Sequence, residues 1–204
     1  MKLYYSPGAC SLASHIVARE AGIELPLEQV DLNAKRTAGG ADFLRINPKG
    51  AVPALELDDG EVLTEGAAIV QYLADRRPDS GLAPPNGTLA RYRLQEMLSF
   101  IGSEIHKTYS PLFNPATIDT VRAERKTMLA TRYGWLDRRL ASQTWLVGDR
   151  FTAADAYLFT VTNWAAHVDL DLSGFAAVAA FQQRVAARPQ VQAALRAEGL
   201  LPAS

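Results

Sequence analysis

Thiols are nearly absent from this 204-residue chain: Cys10 is its single cysteine. No intrachain disulfide framework can therefore carry the fold. Histidines are scarce too, and three of them beside one cysteine make a poor ligand set, so no metal site is expected. An excess of one charge is also missing. The 21 basic and 22 acidic residues leave a formal net charge of -1 and are spread along the sequence. That argues against nucleic acid or an anionic membrane as a main partner. No apolar run reaches bilayer-spanning length, and no basic segment leads into an apolar run at the start. These absences predict a globular protein of a reducing compartment, with a cytoplasmic location expected. The length allows one large or two small domains with a sizeable core.

What is present falls into two differently patterned halves. Lys2 to Tyr5 reads as a strand, Pro7 and Gly8 as a turn, and Cys10 to Val17 as the opening of a helix. Leu27 to Leu32 alternates with period two, and a polar, glycine-containing stretch runs from Asn33 to Asp42. Val52 to Leu57 and Glu61 to Leu63 flank Asp58-Asp59-Gly60, a hairpin signal. A helical face follows over Ala67 to Arg77. The order is βαβ, a loop or short helix, then ββα. The first β-α-β predicts a parallel pair and the hairpin adds antiparallel strands.

Residues 78–88 carry Pro78, Gly81, Pro84, Pro85 and Gly87, the composition of a linker. Beyond it no strand is expected. Leu94, Leu98, Ile101 and Ile105 recur at helical spacing, as do Leu129, Tyr133, Leu136 and Leu140. A further helix opens at Thr152, where Asp155 stands in a capping box with Asp in place of Glu. The remainder is Ala-rich helix broken at Pro189. The predicted class is α+β: a mixed domain over 1–77, a linker over 78–88 and an all-α domain over 89–204.

Cys10 sits where a strand gives way to a helix. A thiol there is expected to face unpaired N–H groups and the positive end of the helix dipole, both of which favour the reactive thiolate. The bland alternative is an inert, buried small hydrophobe. Other positions carry readings of their own. Val52-Pro53, taken by itself, reads as an ordinary Pro opening an edge strand. Glu65 and Gly66 open a helix, where backbone N–H groups hold a carboxylate, and Glu65 alone would be a favourable first-turn charge. Ser99, Ser103 and His106 lie at i, i+4 and i+7, a polar stripe that equally reads as a solvated face. His15, five residues after Cys10, points away from the helix start and reads as structural. Trp164 and His167, with Tyr109 and Phe113, border either an apolar pocket or the core.

Taken together, a strand, a cysteine at the next helix start and a Val-Pro before the third strand resemble a thioredoxin-like domain. The second cysteine of a CxxC is absent, since Ala13 stands in its place, so any partner thiol must come from a ligand. With the helical half added, the chain resembles a glutathione S-transferase. The matching segments are Ser6 to Ala13, Asn47 to Leu55, Leu63 to Ile69 and Phe151 to Leu158, in order from end to end. Cys10 and Glu104-Ile105-His106-Lys107 resemble the bacterial beta class.

The resemblance implies glutathione as co-substrate and no metal. It implies Val52 and a cis Pro53 against the cysteinyl backbone of glutathione, Glu65 and Gly66 at the γ-glutamyl end, and Lys35 at the glycyl carboxylate. It places Cys10 beside the sulfur with His106 as its partner, Lys107 adding charge, and Ser99 and Ser103 as contacts. Ser99 departs from the Asn common at its position in the class. Tyr5, Tyr109, Phe113, Trp164 and His167 would border the co-substrate pocket, and a homodimer is implied. The expected reaction is attack of the glutathione thiolate on a small apolar electrophile. Alternatives are thiol transfer or reductive dehalogenation through a Cys10–glutathione mixed disulfide, and a non-catalytic glutathione-binding module.

Overall fold

A computed structural model describes residues 1–202 of the chain. The chain divides into two compact units. One comprises Met1–Ala83 together with the segment beginning at Ala187, and the other comprises Pro84–Ala186.

The first unit is built on a five-stranded sheet in the order β3-β2-β1-β4-β5. Its strands are β1 (Lys2–Tyr5), β2 (Leu27–Asp31), β3 (Arg36–Thr37), β4 (Ala54–Glu56) and β5 (Val62–Thr64). β1 and β2 run parallel with Leu3 opposite Leu27, and every other pairing is antiparallel. The crossover helix α1 (Ser11–Glu20) makes the parallel pair possible, and Gly60, at φ +87°, closes the β4–β5 hairpin. The two-residue β3 lies inside the polar stretch read as a loop or short helix. It forms because Thr37 and Arg36 pair back onto Val30 and Asp31. A 3₁₀ turn follows over Phe43–Arg45, capped by Asp42.

Helix α2 (Gly66–Asp75) buries Ile69, Val70 and Leu73, and α1 buries Leu12, Ile16 and Val17. These meet Leu3 and Leu55 of the central strands in one apolar layer. A second cluster, Tyr4, Val30, Phe43, Val52 and Ala54, packs separately. A helix from the end of the chain, α8 (Pro189–Ala197), also belongs to this unit. Val191 and Ala194 are fully buried, Arg188 pairs with Glu20 through two 2.7 Å hydrogen bonds, and Glu198 bonds to His15. The sequence reading carries the helical domain through to residue 204; its last two residues lie outside the described range.

The second unit is helical, with no strand among the described residues. It contains α3 (Leu89–Phe100), α4 (Lys107–Tyr109), α5 (Asp119–Ser142), α6 (Ala153–Thr162) and α7 (Ala176–Ala186). The periodic residues Leu94, Leu98, Ile101, Ile105, Leu129, Tyr133, Leu136 and Leu140 are all buried. Between α3 and α4 the backbone widens into a π-turn over Ile101–His106. The capping box at α6 forms, with Asp155 Oδ2 accepting from the Thr152 N–H and hydroxyl at 2.8 Å each. Among the described residues, no helix is long and apolar enough to cross a membrane.

Candidate functional site

Within the first unit the loop before β4 brings several sequence-assigned residues together. The Val52-Pro53 bond is cis. Gly66 lies against the Pro53 ring, since a Cβ on Gly66 would stand 3.7 Å from Pro53 Cγ. Lys35 Nζ donates to the Gly50 carbonyl at 2.8 Å, so this lysine is tied to the same loop rather than simply solvated. Lys49 Nζ reaches Glu65 Oε1 at 2.6 Å and Thr64 Oγ1 at 2.9 Å. Glu65 adopts φ +68°, a conformation that L side chains rarely take. Its carboxylate makes no cap bond to α2; its backbone carbonyl accepts from Ala68 and Ile69 instead.

Cys10 is half-buried at the N-cap of α1. Its Sγ–H donates to the Val52 carbonyl at 3.1 Å, and its side chain makes no cap bond. The expectation that the thiol faces the helix N–H groups is corrected here. Ala9 and Cys10 carbonyls already take the Leu12 and Ala13 N–H groups, leaving the thiol to the outward carbonyl of Val52. A carbonyl accepts only from the protonated thiol, so this bond belongs to the thiol form. Upstream, the Gly8 N–H donates to Glu198 Oε2 at 3.0 Å. Tyr5 is buried, and burial first, then the Glu198 charge, raises its pKa above the usual tyrosine value. His15 is buried between Glu198 and Arg19, in keeping with its structural reading.

The second unit gathers His106, Tyr109, Phe113 and Trp164. Trp164 is the hub, with its ring 4.8 Å from His106, 5.8 Å from Tyr109 and 5.6 Å from Phe113, each edge-on. Phe113 is exposed, whereas Tyr109 is fully buried and its hydroxyl meets that of Tyr133 at 3.0 Å. His167 is exposed and pairs with none of these rings. Ser99, Ser103 and Lys107 are exposed, and the Ser103 hydroxyl is turned back onto the Ser99 carbonyl at 3.0 Å. The π-turn adds a residue to the helix between Ser99 and His106. The i, i+4, i+7 geometry of an unbroken α-helix therefore does not hold there.

Three participants escaped the sequence reading as site residues. Lys49 pairs with Glu65, Tyr157 Oη lies 2.6 Å from His106 Nδ1, and Glu198 holds Gly8. Lys49 sits in the Asn47-Pro48-Lys49-Gly50 segment, the one local signal that could have flagged it. The other two contacts join residues 51 and 190 positions apart, which no spacing rule reveals. Among the described residues, no group of three or more His, Cys, Asp or Glu could hold a metal ion.

Two family models match the chain: Glutathione S-transferase, N-terminal domain, over residues 8–76, and Glutathione S-transferase, C-terminal domain, over residues 100–189. Glutathione S-transferase GstA of Escherichia coli O157:H7 is 51% identical over 200 residues, covering 98% of this chain and 100% of the relative. A solved ternary complex of BphK, a bacterial GST, superposes with a TM-score of 0.97 at 56% identity, covering 98% of this chain and 100% of that one. The bacterial beta class glutathione S-transferase of Sphingomonas chungbukensis superposes with a TM-score of 0.96 at 49% identity, with coverage of 98% and 100%.

Proposed function

The chain belongs to the glutathione S-transferase family, and from that premise we propose that its first unit binds glutathione with Cys10 beside the ligand's sulfur. The observation that carries this reading is the convergence of Cys10, Val52, Pro53 and Gly66 in that unit. Val52 offers its N–H and C=O to the cysteinyl backbone, which adds to the sheet as a short strand. The first-turn N–H groups of α2 receive the γ-glutamyl carboxylate at Gly66. Glu65 takes the ligand's ammonium, exchanging it for Lys49. Lys35, already turned to Gly50, takes the glycyl carboxylate. In the second unit, His106 serves as acid–base group, Ser99, Ser103 and Lys107 supply glutathione contacts, and the cluster around Trp164 serves the apolar co-substrate.

The reaction is conjugation: the glutathione thiolate attacks an electrophilic carbon and displaces its leaving group, with rate gained from thiolate stabilisation and proximity. The half-exposed Cys10 thiol, with no second cysteine in the chain to pair with, supports a second reading. In thiol transfer, Cys10 thiolate attacks a glutathione disulfide, expels one glutathione thiolate and retains the other as a mixed disulfide, which a second glutathione resolves. A homodimer and a cytoplasmic setting complete the proposal.

Incubation with oxidised glutathione followed by intact-mass measurement tests the site. One glutathione adduct on the wild type, absent from Cys10→Ser and removed by reduced glutathione, would establish a reactive Cys10 and favour thiol transfer over the conjugation expected. No adduct, with both proteins retained on immobilised glutathione, would favour plain conjugation with Cys10 a neighbour. No adduct and no retention would overturn the glutathione reading.

A further inference from the structure

A cavity of about 440 Å³ lies within the first unit, beside the last turn of α1 and the first turn of α8. His15, Arg19, Ile23, Glu24, Leu25 and Gln190 line it. The volume is that of a small-molecule site, and none of the residues assigned to glutathione borders it. Arg19 decides what chemistry fits. Its Nε–H donates to His15 Nε2 at 2.8 Å, which restrains the guanidinium plane. Among the described residues no carboxylate pairs with its terminal nitrogens. A restrained guanidinium fork matches a carboxylate with two parallel hydrogen bonds. Ile23 and Leu25, both half-buried, give apolar wall for a hydrocarbon body. Exposed Glu24 on the same rim repels a second negative charge and so disfavours a phosphate dianion.

We propose that this cavity is a second ligand site, for a small monocarboxylate with an apolar body, and that its occupancy reaches the loop before Cys10. The path is a continuous chain of hydrogen bonds. Arg19 donates to His15 Nε2, His15 Nδ1 meets Glu198 Oε1 at 2.9 Å, and Glu198 Oε2 accepts the Gly8 N–H at 3.0 Å. Gly8 is two residues from Cys10. The Glu198 side chain is fully buried, so no water compensates a change in what His15 offers it. A ligand carboxylate on Arg19 draws the guanidinium from His15, and the adjustment falls on the Gly8 N–H.

Benzoate and inorganic phosphate, titrated separately into the full chain and followed by amide NMR, test the site. Benzoate is expected to give saturable shifts at Ile23, Gln190 and Gly8, weakened roughly tenfold or more in Arg19→Gln. Phosphate is expected to give none. Glu24→Gln changes an exposed side chain, and it should tighten benzoate binding and admit phosphate. Absent shifts at the cavity residues, unchanged benzoate affinity in both variants, or phosphate acting as strongly as benzoate on the wild type would overturn the site. Shifts at Ile23 and Gln190 with a silent Gly8 would overturn the coupling. Glutathione binding is read separately at the Gly66 amide, so its failure and this one are distinguishable.

Discussion

Glu65 concentrates two demands on one position. Its φ of +68° is a glycine-like conformation, which costs a residue with a Cβ about 1 to 2 kcal/mol. Its exposed carboxylate is the one assigned to the ligand's ammonium. Glu65→Gly separates the two. The variant is expected to gain roughly 0.5 kcal/mol in urea unfolding, the relieved strain outweighing the added freedom of the unfolded chain. Its KM for glutathione should rise about tenfold or more, from the lost charge-assisted bond. A variant both weaker and as active as the parent would break the link between strain and binding. Lys49→Ala probes the same carboxylate from the other side. Removing the cation that holds Glu65 should lower the KM for glutathione a few-fold, because the exposed pair is worth under about 1 kcal/mol and its exchange ceases to oppose binding.

The capping box of α6 is the element whose energetics depend most on burial. Asp155 is fully buried and accepts from the Leu146 N–H, the Thr152 N–H and the Thr152 hydroxyl. Burial pushes its carboxyl up to about 6, against the pull of these donors. An acid whose pKa rises on folding keeps its proton in the native chain after the unfolded chain has lost it. Its contribution is therefore full below the unfolded value and drains away as pH climbs from about 4 to about 6. Relative to Asp155→Asn, the wild type should lose up to roughly 3 kcal/mol across that window, read from urea unfolding at about pH 4 and pH 7. A flat difference would show that the three donors, not desolvation, govern the carboxyl.

This box was legible in the sequence because its parts lie three residues apart, as were the Asp58-Asp59-Gly60 hairpin and the apolar spacing of α3 and α5. The π-turn was not. It leaves Ile101 and Ile105 buried at helical spacing and alters only where Ser103 and His106 point. The strand Arg36–Thr37 escaped for another reason: two residues hold no alternation to read. At the candidate site, Cys10, Val52, Glu65 and Gly66 were legible through motif resemblance. The direction of the Cys10 thiol was not, because a carbonyl 42 residues away sets it.

At the scale of the whole molecule, the first unit is completed by residues from the far end of the chain. Glu198 serves Gly8 and His15, and Arg188 serves Glu20. Ending the chain at Ala186 would remove the Glu198 carboxylate from the Gly8 N–H and expose the α1 face that α8 covers. The expected result is a loss of several kcal/mol in unfolding free energy, with faster alkylation of Cys10 by iodoacetamide. Arg188→Ala alone should cost about 1 to 2 kcal/mol, since Glu20 is mostly buried. An unchanged melting curve for the truncated chain would mean that α8 adds nothing to the first unit. The same discontinuity dictates an order of events on the ribosome. Domains usually fold from the N-terminus as they emerge. Here the segment Pro84–Ala186 is contiguous and can complete itself while translation continues, whereas the thiol-bearing unit, begun first, must wait for α8 to emerge before it can close.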